Sequence, residues 1–136
     1  MTEGGTRSVK LHLGAHKTAT TYLQQQLELH SRNFERCHHY LKLKEMRRVI
    51  TPLAVDKKQA TQVLSDALSQ YRSYQTLILS DENLLGTPRQ LKAGTLYSGA
   101  EETCIRLREA LGSVVRYEVY FTIRDYRDFI PSMYCE

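Results

Sequence analysis

The chain has no tryptophan, three prolines, three cysteines and no long apolar run. Each scarcity excludes something. Without a stretch of about 18 apolar residues, no membrane-spanning helix is expected. The polar start from Met1 to Ser8 has no apolar signal core, which makes the cytoplasm the default compartment. Cys37, Cys104 and Cys135 are odd in number and far apart, which argues against a disulfide framework. No two of them have zinc-ligand spacing, and no metal ligand set is expected. Few prolines and glycines exclude a fibre or a disordered linker. A net charge of +4 is too small and too dispersed for a nucleic-acid binder, but it suits a small anionic ligand. What remains is a chain of 136 residues, the length of one domain with a real core.

Periodicity then orders the elements. Val9 to Leu13 alternates apolar and polar residues and reads as a strand broken by Gly14. From Thr18 the spacing becomes helical, with Leu23, Leu27, His30 and Phe34 on one stripe. Cys37 to Pro52 is hard to read. It carries the basic residues Lys42, Lys44, Arg47 and Arg48, and Pro52 is expected to break any helix through Met46 to Ile50. A helix follows from about Lys57 to Tyr74, capped by Asp56, with Ala60, Leu64, Ala67, Leu68 and Tyr71 as its apolar stripe. Thr76 to Ser80 is a second strand, whose continuous Leu77-Ile78-Leu79 suits burial on both faces. Gly86 to Gly99 is a loop. Ala100 to Leu111 is a helix with Cys104, Leu107, Arg108 and Leu111 aligned, closed by Gly112. Arg116 to Ile123 is a third strand, and Asp128 opens another helix.

Strands alternating with helices imply an α/β fold: a three-layer parallel sheet flanked by helices. Three strands are few for such a sheet, so residues 1–136 read as one truncated domain, its carboxyl-terminal part absent. The unfinished sheet edge favours missing strands or a partner chain, including a second copy.

The chemistry gathers in two places. Gly14-Ala15-His16-Lys17-Thr18-Ala19-Thr20-Thr21 joins the first strand to the first helix. A helix start offers free N–H groups and the positive end of its dipole, which together hold phosphate. Gly14 allows a tight turn, Lys17 adds a cation, and Thr18, Thr20 and Thr21 add hydroxyls. The Walker A loop has a glycine directly before its lysine and a longer span. Here His16 precedes Lys17 and two residues separate it from Gly14. The second place is Ile123 to Tyr134, where Arg124 ends a strand and Ser132 follows eight positions later. An arginine fork grips phosphate oxygens in pairs, and a serine can add one bond to the same group. Arg124, Asp125, Arg127 and Asp128 could equally pair among themselves as a solvated cluster.

The segment from Leu13 to Gln24 resembles the 5′-phosphosulfate loop of the sulfotransferases that use 3′-phosphoadenosine 5′-phosphosulfate (PAPS). The segment from Ile123 to Tyr134 resembles that family's 3′-phosphate motif. Two departures stand out. Ala19 replaces the usual glycine, a change tolerable where that residue is already helical, and Tyr126 replaces the usual proline. The resemblance implies a sulfotransferase that binds PAPS through Gly14, Ala15, His16, Lys17, Thr18, Ala19, Thr20, Thr21, Arg124 and Ser132 and releases 3′,5′-adenosine bisphosphate. It implies a fold like that of the P-loop nucleotide triphosphatases and no metal requirement. Its partners would be the nucleotide and an unidentified hydroxyl or amine acceptor, carbohydrate among the candidates. Lys17 is the expected stabiliser of the leaving phosphate. Glu82, after the second strand, resembles the base of carbohydrate-type members, with Asp81 and His16 as rivals. Asp81 or Glu82 could instead cap a short helix. His38 and His39 read as surface residues, and Lys42 to Arg48 as either a solvated face or an attractor for an anionic acceptor. A P-loop nucleotide kinase and an inactive nucleotide-binding remnant are the alternatives.

Overall fold

A computed structural model of the chain describes residues 7–14, 19–34, 36–55, 60–87, 89–90, 94–95, 97–112, 115–123, 125, 127–128 and 131. Four strands form one all-parallel sheet: β1 (Arg7–His12), β2 (His38–Tyr40), β3 (Thr76–Ser80) and β4 (Val115–Tyr120). Their order is β2-β3-β1-β4, which makes β1 an inner strand. Leu11 stands level with Leu79 on one side and Val119 on the other. The described helices are α1 (Thr20–His30), a 3-10 turn (Ser31–Asn33), α2 (Leu43–Glu45), a π-helical turn (Met46–Ile50), α3 (Thr51–Val55), α4 (Thr61–Ser69) and α5 (Ala100–Leu111).

Strand order decides which face each helix covers. The chain crosses the sheet one way from β1 to β2, and the other way from β2 to β3 and from β3 to β4. Right-handed crossovers therefore put α1 on one face and α4 and α5 on the other. The packing of α4 on α5 fits that assignment. Side chains alternate along each strand, so Val9, Leu11, Leu77 and Leu79 all face α4 and α5. Leu64, Leu68, Leu107 and Leu111 meet them from the helices, and each such burial is worth roughly 1.5–3 kcal/mol.

The opposite face is not the apolar layer expected from Leu77-Ile78-Leu79. It carries polar rungs: Ser8 Oγ lies 3.0 Å from Thr76 Oγ1, Lys10 Nζ lies 3.0 Å from Glu118 Oε2, and Ile78 is half-buried. Accordingly α1 is lightly packed. Its buried residues are Thr20 and Gln24, whereas Leu23 and His30 are exposed and Leu27 is half-buried, so the expected apolar stripe is not a core stripe. In α5 Leu107 and Leu111 are buried as expected, but Thr103, Arg106 and Ala110 complete the buried set in place of Cys104 and Arg108. Cys104 and Arg108 are exposed.

Other boundaries shift for local reasons. Asp56, the expected cap of α4, lies outside the described residues; Ala60 is the residue before the helix, and the helix stops at Ser69. Its stripe holds, with Ala60, Leu64, Leu68 and Tyr71 buried. Pro52 does not end the helical run. The π turn before it is wider, with the Thr51 N–H reaching the Met46 carbonyl, and α3 continues through the proline. β2 is a fourth strand within the segment that resisted reading. It pairs with β3, bringing His39 level with Leu77.

Candidate functional site

Parallel strands bring their carboxyl ends to one edge of the sheet, and the hydrogen-bond ladder continues past the strands there. Leu13 N donates to Tyr120 O at 2.9 Å, and Asp81 N donates to His12 O at 3.2 Å. The residues after β1, β3 and β4 are thereby neighbours. Gly14 is needed here for close approach rather than for a turn. Its φ is not positive, but a Cβ on it would stand 2.5 Å from Thr122 Oγ1 and 3.0 Å from the His12 ring.

Beneath Gly14 runs a column of polar side chains. Gln24 Nε2 on α1 donates to Ser80 O at 3.2 Å, Ser80 Oγ is 3.0 Å from His12 Nδ1, and His12 Nε2 is 3.3 Å from Thr122 Oγ1. The column links α1, β3, β1 and the segment after β4. Burial pushes the His12 imidazole below its ordinary pKa, and the Glu82 charge opposes this only in part. Composition gave no hint of His12. Its place at the carboxyl end of β1, on the face opposite Val9 and Leu11, was the available signal.

The two carboxylates after β3 have different surroundings. Asp81 is wholly buried. It accepts from Thr51 Oγ1 at 2.7 Å, from Asn83 N at 3.0 Å and from Arg47 Nε at 3.3 Å. That set satisfies the carboxylate and holds the turn, as a cap would. Glu82 is partly open, with 19% of its side chain exposed. It accepts from the Thr20 hydroxyl and lies 3.5 Å from Arg47 Nη2. Thr20 is the first residue of α1, so Glu82 stands beside the helix start.

Ala19 has φ 59° and ψ 21°, the left-handed conformation. It is not helical, so the condition that made alanine tolerable there is not met; a glycine would take this backbone without strain. The turn nevertheless launches α1, whose first bond runs from Leu23 N to Ala19 O at 3.1 Å. Thr20 is buried against Glu82, and Thr21 is exposed. Ala15, His16, Lys17, Thr18, Arg124 and Ser132 lie outside the described residues. Of the alternative charge cluster, Asp125 and Arg127 do pair, at 3.0 Å and well exposed.

His39 is half-buried rather than a plain surface residue. Its ring stacks on Tyr71 and Tyr74 with centroids 5.1 and 4.5 Å away. His38 is exposed, as expected for its neighbour on a strand. Arg47, expected only as part of the basic Lys42 to Arg48 stretch, and Thr51, not singled out at all, also join the site, because their approach depends on the π turn. Among the described residues no group of three or more His, Cys, Asp or Glu side chains could hold a metal ion, and no helix is long and apolar enough to cross a membrane. Compared with protein-family models, curated proteins and solved structures, the chain gives no match.

Proposed function

We propose that this edge of the sheet binds PAPS and transfers its sulfuryl group to an acceptor hydroxyl. The observation that carries the reading is the meeting of Glu82 with Thr20. It joins a carboxylate at the end of β3 to the helix start that follows the loop of Lys17. β1 and β3 are also the adjacent strands whose connections leave in opposite directions, and open α/β sheets bind ligands at the carboxyl ends of such a pair.

The roles follow from charge and position. Backbone N–H groups at the start of α1 and the Lys17 ammonium receive the 5′-phosphosulfate. Arg124 and Ser132 receive the 3′-phosphate. Glu82 takes the proton as the acceptor oxygen attacks sulfur; the bond from sulfur to the bridging oxygen breaks, and 3′,5′-adenosine bisphosphate leaves with that electron pair. Asp81, buried and fully engaged, positions Arg47 rather than acting as a base. Arg47 has 42% of its side chain exposed beside Glu82, where it can follow the sulfuryl oxygens.

Calorimetry with 3′,5′-adenosine bisphosphate should show binding without magnesium, and Lys17→Ala should abolish transfer. Glu82→Gln should lower kcat by roughly 100-fold or more and leave nucleotide affinity unchanged. Silence with the bisphosphate together with tight, magnesium-dependent ATP binding and transfer of labelled phosphate would mark a nucleotide kinase instead.

A further inference from the structure

The column of Gln24, Ser80, His12 and Thr122 has no part in the roles above, yet it borders each segment that carries one. We infer that His12 is a positioning residue: it ties the segment after β4 to those after β1 and β3, and so holds the two phosphate grips of the site at one fixed separation. Its effect on nucleotide rests on the sulfotransferase reading; the tie itself does not.

Ser80 directly precedes Asp81 and Glu82, and Thr122 stands two residues before Arg124. Gln24 follows Thr20 by one helical turn, so the two share a face of α1. Gly14 begins the loop of Lys17 and packs on the column: a Cβ there would stand 3.0 Å from the His12 ring. His12 is the member that joins these segments. Its Nδ1 is 3.0 Å from Ser80 Oγ, and its Nε2 is 3.3 Å from Thr122 Oγ1. Gln24 Nε2 reaches the same serine, 3.4 Å from Oγ and 3.2 Å from the carbonyl oxygen. The ladder bond from Leu13 N to Tyr120 O aligns β1 with β4, and the Nε2 contact carries that alignment two residues further.

Stability alone does not call for this column. Gln24, Ser80 and His12 are all buried, and burying polar groups costs free energy that their hydrogen bonds do little more than offset. Apolar side chains of the same shape would hold the fold about as well, as Val9 and Leu11 do on the other face of β1. What a polar chain adds is direction, because each hydrogen bond fixes a partner and an angle. A planar imidazole with a nitrogen on each side spans from β3 to the segment after β4, farther than a hydroxyl reaches. Fixed spacing matters to a ligand with two phosphates. Once one grip is made, the second phosphate meets its own grip at high effective concentration, provided the separation is held.

Two substitutions separate the ring nitrogens. His12→Gln sets its amide near Nε2 and keeps the bond to Thr122, whereas His12→Asn sets it near Nδ1 and loses that bond. Calorimetry on the full 136-residue chain would compare 3′,5′-adenosine bisphosphate with adenosine 5′-phosphate and adenosine 3′-phosphate. The parent should bind the bisphosphate at least about 100-fold tighter than either monophosphate. His12→Asn should weaken the bisphosphate about tenfold and leave both monophosphates unchanged, while His12→Gln stays within about threefold of the parent throughout. Amide hydrogen exchange without nucleotide should quicken about tenfold in the peptide containing Thr122 in His12→Asn but not in His12→Gln, with α4 unchanged in both. Equal weakening of all three ligands, faster exchange that includes α4, or equal behaviour of the two variants would overturn the inference. Exchange that quickens at Thr122 in His12→Asn alone, in a protein whose parent does not prefer the bisphosphate, would uphold the tie and refute the sulfotransferase reading. A parent that prefers the bisphosphate, with the two variants alike in affinity and exchange, would remove the tie alone.

Discussion

Replacing Ala19 with glycine should stabilise the protein, against the usual direction of that change. At φ 59° the alanine Cβ crowds the following carbonyl oxygen, a strain of roughly 1–2 kcal/mol that glycine lacks. Glycine also frees the unfolded chain, which offsets roughly 0.4–1 kcal/mol of the gain. Ala19 is exposed, so no packed methyl is lost. The net is a gain of roughly 0–1.6 kcal/mol, centred near 0.8, or about 3 °C in Tm for a chain of this size. Ala67 provides the internal control. It lies in right-handed α4 and is half-buried, so Ala67→Gly should cost about 1 kcal/mol. Urea and thermal unfolding followed by circular dichroism would measure both variants. The same substitution should move the midpoint in opposite directions at the two sites. If Ala19→Gly lowers stability as Ala67→Gly does, Ala19 is not left-handed and the account of the helix start fails.

Gly14→Ala should cost about 1–3 kcal/mol, because the new Cβ would stand 2.5 Å from Thr122 Oγ1; adding Thr122→Ala should recover part of the loss in urea unfolding. Asp81→Asn should cost about 2 kcal/mol, read from the urea midpoint, since it weakens a buried acceptor of three hydrogen bonds. Burial lowers the folded pKa of His12 and of His39 below the ordinary value near 6.5, so the fold favours both neutral forms. Their contribution is therefore complete above that value and lost as pH falls through it. Tm should decline from pH 7.5 to 5.5, less steeply in His12→Asn, and a flat profile for the parent would contradict the burial.

How much was legible varied with the range of the interactions. β3 and α5 matched their sequence limits, because a β-branched and leucine run, or a helix closed by Gly112, is a local signal. The apolar face of α4 was equally clear from Leu64 and Leu68. The stripe of α1 misled, since Leu23 and Leu27 have helical spacing whether or not anything covers them. Opposite them, β1 presents Ser8, Lys10 and His12, whose polar partners come from β3 and β4. β2 escaped notice because three residues carry almost no periodic signal. Within the site, Gly14, Thr20 and Glu82 could be nominated from motif order, whereas His12, Arg47 and Thr51 could not.

The sequence by itself determined the alternation of strand and helix and the parallel class of the sheet, and it nominated two segments for phosphate. These are properties of neighbouring residues: side-chain period, turn chemistry, and charge beside a helix start. Only the tertiary structure decided that Glu82 meets Thr20, that Asp81 is consumed by Thr51, Asn83 and Arg47, and that Ala19 is left-handed. Those outcomes depend on strand order. With β1 between β3 and β4, groups dozens of residues apart share one edge, and the hydrogen bonds among them set which carboxylate stays open.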